Sequence, residues 1–123
     1  PRYFAKKNKS MYNNFNEKHI EKLKKTKVLN QDFRKVMKSW DRKGNLMYLD
    51  PPYVKAGDEY KTHGVTSKEV CDAVKKVKKA KVFLSYDNNA EVKRNCKGLK
   101  MSTITFTYTS RNQGKKKELL IEN

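Results

Sequence analysis

Asp50, Pro51, Pro52 and Tyr53 follow directly on the apolar run Leu46, Met47, Tyr48, Leu49. Neither proline can donate a backbone hydrogen bond, and each fixes its own φ. A turn built this way presents acceptors only, the Asp50 carboxylate and the Pro51 carbonyl. Two acceptors suit a group with two donor hydrogens, such as an exocyclic amino group. Tyr53 adds a flat face on which a planar ring can stack. The four residues read as a clamp for an aromatic amine, and a Pro-Pro turn without chemistry is the bland alternative.

An acid placed so binds ligand if its strand belongs to an open α/β sheet, where sites lie beyond the carboxyl ends of parallel strands. The rest of the sequence predicts such a sheet. Asn16 leads into a helical stripe of Ile20 and Leu23, and "KVLN" (27–30) reads as a short strand ending near Asp32. Phe33, Val36, Met37 and Trp40 stand at helical spacing, and 46–49 reads as a strand buried on both faces. After a long loop, Thr66 and Glu69 match a capping box for a helix with Val70, Ala73, Val74 and Val77 on one face. A second buried strand runs to 86, Asp87 can cap a short helix, and Gly98 can end it. The pattern predicts one α/β domain over 1–123. Its sheet is mainly parallel (strands near 27–30, 46–49 and 82–86) and closes with an antiparallel hairpin of 102–109 and 117–122.

The totals point to an anionic partner. The 123 residues carry a formal charge of +17, from 30 basic and 13 acidic side chains, and nucleic acid is the first partner such a charge implies. Only 5 of the basic residues are arginine, so a solvated lysine coat is the competing reading. Mean hydropathy is -1.03, yet aromatics make up 11% of the chain, too many for a disordered tail. Cys71 and Cys96 form no metal-type spacing with His19 or His63; Cys71 reads as a small core residue, and no disulfide framework is expected. No signal peptide or long apolar run is visible, so an intracellular, cytoplasmic protein is expected.

"DPPY" at a strand end resembles the catalytic motif of the DNA adenine methylase family, the Dam-like class. Other pieces resemble that family in its own order. "YFAKKN" is similar to the segment entering its catalytic half, "NQDF" to the strand end that holds the cofactor adenine, "FLSYDN" to the strand after the motif, and "TSRNQGKKKELLIEN" to the closing hairpin. These pieces cover nearly the whole chain. The resemblance implies a Rossmann-like methyltransferase sheet, S-adenosylmethionine as cofactor, double-stranded DNA with a flipped adenine as substrate, and no metal.

By the same resemblance, Asp50, Pro51, Pro52 and Tyr53 are catalytic. Hydrogen bonds from the adenine amino group to Asp50 and the Pro51 carbonyl favour a tetrahedral nitrogen and stabilise its growing positive charge, and the methyl group passes in line from the sulfonium. Asp32, Phe33 and Asp50 face the cofactor, although a helix N-cap accounts for Asp32 equally well. Tyr60 and His63 fall in the loop that contacts the flipped base or its phosphates. Ser85, Tyr86 and Asp87 line the same cleft, with Ser85 toward the nucleic acid. Arg111, Asn112, Lys115 and Lys116 form a basic tip suited to phosphate.

The chain departs from the family at its start. The five glycines, at 44, 57, 64, 98 and 114, make no Phe-x-Gly-x-Gly-type cofactor loop, and no helical target-recognition insert precedes the catalytic strand. The sequence therefore reads as the C-terminal catalytic part of a methylase that needs a further N-terminal segment or chain. Two other readings share its features: an inactive nucleic-acid-binding remnant, and a fragment of a ribosomal-RNA guanine methyltransferase, which has the same clamp.

Overall fold

The computed structural model describes residues 16–54, 64–107 and 114–123. It divides into two compact units, residues 1–31 and 32–123. In the first, helix α1 (Glu17–Lys24) has a glutamate in its first turn and lysines in its last, matching the helix dipole. Its apolar stripe of Ile20 and Leu23 is exposed. The strand expected at 27–30 does not form: residues 26–30 have no regular structure, and Val28 is 89% exposed. Two apolar residues among polar ones are a weak strand signal, because a strand forms only where its backbone pairs with a neighbour.

The second unit holds α2 (Phe33–Trp40), β1 (Leu46–Leu49), α3 (Ser67–Lys76), β2 (Lys81–Asp87), α4 (Ala90–Asn95), β3 (Lys100–Thr107) and β4 (Lys115–Glu122). The sheet order is β1-β2-β4-β3. β1 pairs parallel with β2, whereas β4 runs antiparallel to both β2 and β3. The fold is mixed α/β, as expected, but "mainly parallel" is corrected: one pair of three is parallel. Losing the 27–30 strand removes a parallel partner, and the closing hairpin inserts its second strand beside β2.

Helices α2, α3 and α4 each begin where a side chain satisfies their first N–H groups. Asp32 caps α2 by accepting from Arg34 N at 2.8 Å. Thr66 and Glu69 form the expected capping box of α3, with Glu69 N donating to Thr66 Oγ1 and Thr66 N to Glu69 Oε2. The cap of α4 is Asn89, whose Oδ1 takes the N–H groups of Glu91 and Val92. The expected cap, Asp87, is instead the last residue of β2. Gly98 ends this stretch at φ +95, a conformation that strains any side chain.

The core lies between one sheet face and helices α2, α3 and α4. Met37, Val70, Val74, Val82, Leu84, Tyr86, Val92, Leu119 and Ile121 are all buried there. Each such aliphatic side chain contributes about 1.5–3 kcal/mol by leaving water. Alternation puts Leu46 and Tyr48 on the other face, where they are 65% and 63% exposed, so β1 is covered on one face and not on both. Asp41, just past α2, accepts backbone N–H groups from Lys78, Lys79 and Ala80, which ties the turn entering β2 to the end of α2. Cys71 on α3 and Cys96 at the end of α4 are joined in a disulfide, which corrects the expectation of unbridged cysteines. Both are buried and face each other because α3 and α4 pack side by side, a proximity that a sequence separation of 25 conceals.

Candidate active site

The end of β1 delivers Asp50 to the carboxyl edge of the parallel pair, and Asp50, Pro51, Pro52 and Tyr53 run out of the strand as an irregular turn. Asp50 and Pro52 are exposed, while Pro51 and Tyr53 are half-buried. The acid is not free to swing. Ser85, on the neighbouring strand, donates its hydroxyl to Asp50 Oδ1 at 3.0 Å and receives the Tyr48 hydroxyl at 3.0 Å. Among the described residues, no donor reaches Asp50 Oδ2, so it can take one from outside.

Tyr53 turns back over the sheet. Its ring lies 6.0 Å from that of buried Tyr86, tilted by 30°, and its hydroxyl donates to Glu118 Oε2 on β4 at 2.8 Å. Burial first, and the bond to Glu118 second, push the Tyr53 phenol above its ordinary value, so it stays a protonated donor. Burial likewise pushes Tyr86 up to about 12. The next residue is tied down as well: Val54 N donates to Asp87 Oδ1 at 3.2 Å, and Asp87 Oδ2 receives Asn89 Nδ2 at 3.0 Å. Three carboxylates, Asp50, Asp87 and Glu118, thus surround one turn of a strongly basic chain. Such a setting favours a group that becomes positively charged.

The structure brings together the DPPY residues with Ser85, Tyr86 and Asp87. Ser85 is nearly buried and its hydroxyl is directed at Asp50. Glu118 and Tyr48 also belong to the site, and neither stands out in the sequence. Only the register of β4 on β2, which sets Glu118 opposite Asp87, reveals the first.

Asp32 has a different set of partners. Besides capping α2, it accepts from Arg34 Nε at 2.9 Å, and Arg34 Nη1 reaches Glu69 Oε1 at 3.0 Å. The Arg34 bonds hold the Asp32 carboxyl down at about 2. The Arg34 guanidinium also lies 5.5 Å from the centre of the Phe33 ring, which packs against the core. Lys115 and Lys116 are exposed at the start of β4, paired in register with Thr107 and Phe106. Tyr60, His63, Arg111 and Asn112 lie outside the described residues. Among the described residues, no group of three or more His, Cys, Asp or Glu side chains could hold a metal.

The model of the D12 class N6 adenine-specific DNA methyltransferase family matches residues 2–118. The chain belongs to that family. No curated protein matches it. The family is adenine-specific and acts on DNA, which implies DNA as the substrate polymer and favours adenine over the guanine alternative. Among the described residues, no helix is long and apolar enough to cross a membrane.

Proposed function

We propose that this chain carries the base-binding half of an S-adenosylmethionine-dependent DNA adenine methyltransferase, working on DNA in the cytoplasm. The observation that carries the reading is the Asp50 carboxylate at the end of β1, aimed by Ser85 and followed by two carbonyls without N–H groups. An adenine amino nitrogen is a poor nucleophile because its lone pair is delocalised into the ring. Hydrogen bonds to Asp50 and the Pro51 carbonyl draw its hydrogens out of the ring plane and stabilise the charge that grows on nitrogen. The base must first leave the duplex at a cost of a few kcal/mol, and stacking on Tyr53 returns about 1–3 kcal/mol. Lys115, Lys116 and the segment around Arg111 and Asn112 then serve the phosphates, with Tyr60 near the flipped base.

When bound, S-adenosylmethionine supplies the methyl group. Asp32, Phe33 and Asp50 are the residues of this chain that would face it. The fit is partial. Arg34 occupies both Asp32 oxygens, so an adenine amino group can take them only if Arg34 turns aside, and Glu69 is its second carboxylate partner there. No Gly-x-Gly spacing occurs among the five glycines, and we assign the cofactor loop to a segment or chain outside these residues. That same lack favours a second reading, a nucleic-acid-binding remnant without turnover. Transfer of a labelled methyl group to adenine in duplex DNA, and its loss in Asp50→Ala, separates the two.

A further inference from the structure

Glu118 heads the apolar run of the closing strand, where a charged residue reads as the solvated start of a hairpin arm. In the structure it is 8% exposed. It sits on β4, which is flanked by strands on both sides, in register with Asp87 on β2 and Ile104 on β3. One of its oxygens, Oε2, receives the Tyr53 hydroxyl from a residue 65 positions earlier. The ring of Tyr53 is therefore held at two points, its body beside Tyr86 and its tip on Glu118. The acceptor stands on an inner strand, so its place is set by the sheet and not by the turn that carries Tyr53.

A ring face alone would make Tyr53→Phe silent. The hydroxyl bond argues otherwise. A ring already fixed at its stacking angle does not have to be ordered when the base arrives, and that preorganisation adds to affinity. We infer that Glu118 is a positioning residue, setting the plane of the Tyr53 ring on which the target base stacks. The inference rests on the base-clamp reading of Tyr53 proposed above.

The probe is a single-stranded oligonucleotide carrying one 2-aminopurine, whose fluorescence is quenched when it stacks on an aromatic ring. A single strand removes the cost of opening a duplex. Tyr53→Ala should lose the quench. Tyr53→Phe and Glu118→Ala should each weaken the quenched complex by roughly 2- to 10-fold, the worth of one hydrogen bond. The double variant should be no weaker than either single one, and Glu118→Gln, which keeps an acceptor oxygen, should restore most of the affinity. Circular dichroism melts identify variants that do not fold; if Glu118→Ala is one, the pair Tyr53→Phe and Glu118→Gln carries the test. Additive losses in the double variant, or full quenching by Tyr53→Phe, overturn the inference while Tyr53→Ala still loses the quench. Equal quenching by the wild type and Tyr53→Ala overturns the base-clamp reading and this inference with it.

Discussion

Reducing the bond between Cys71 and Cys96 should destabilise the fold without rearranging it. The two residues are 25 positions apart. Opening a loop of that length returns about 12 cal/mol/K of chain entropy to the unfolded state, or about 3.5 kcal/mol at room temperature. The native side changes little, because both cysteines are fully buried and a buried thiol packs as a small apolar group. Small domains have about 5–15 kcal/mol in total, so the loss is a large share. With a urea slope of about 1–2 kcal/mol/M, the unfolding midpoint should drop by about 2–3.5 M. The assay is urea unfolding followed by far-UV circular dichroism, with and without reductant, beside a thiol titration in denaturant. An unmoved midpoint after full reduction would refute the chain-entropy argument. Two free thiols in the unreduced protein would refute the bond itself.

Acid should act through carboxylates that the fold holds below their ordinary values. Asp41 is lowered by the N–H groups of Ala80, Lys78 and Lys79, Glu122 by Lys81 and Lys100, and Asp32 down to about 2 by Arg34. Their contribution is complete above the unfolded values of 3.8 and 4.5 and is lost as pH falls through the lower folded ones. The melting temperature should therefore fall between about pH 4 and 2, less steeply in Asp41→Asn; a slope unchanged by that substitution would contradict this. DNA binding is the second test: if the charge of +17 serves phosphate contact, log affinity should fall with log salt by roughly 0.9 per phosphate neutralised. A nearly flat titration would leave the lysines as a solvated coat.

Local signals in the sequence translated well into structure. The Thr66–Glu69 capping box starts α3 where the side chains predict it, and the run at 46–49 is β1 without a shift. What failed was non-local. Residues 27–30 have strand-forming side chains, but a strand exists only against a neighbour. Hairpin spacing showed that β3 and β4 pair, yet could not show which of them docks on β2. The DPPY turn leaves the end of β1 as expected, because its place depends only on adjacent residues. The bond from Ser85 to Asp50 was not visible in the sequence, and Glu118 was missed, since both contacts depend on register across strands. Asp87 and Asn89 are both good caps by type, and only the extra length of β2 passed the role to Asn89.

The central claim is that Asp50 accepts from the adenine amino group as nitrogen attacks. Asp50 is exposed, and without it the Ser85 hydroxyl still has the Leu49 carbonyl at 3.4 Å, so Asp50→Ala should keep the fold. The direct measurement is single-turnover methylation of an adenine-containing duplex by the full-length protein, with DNA affinity measured alongside. Removing an acceptor that works mainly in the transition state should lower the rate by about 10²–10³-fold and change affinity far less. A variant that kept most of its rate would show that Asp50 merely ends a strand, and would contradict the mechanism.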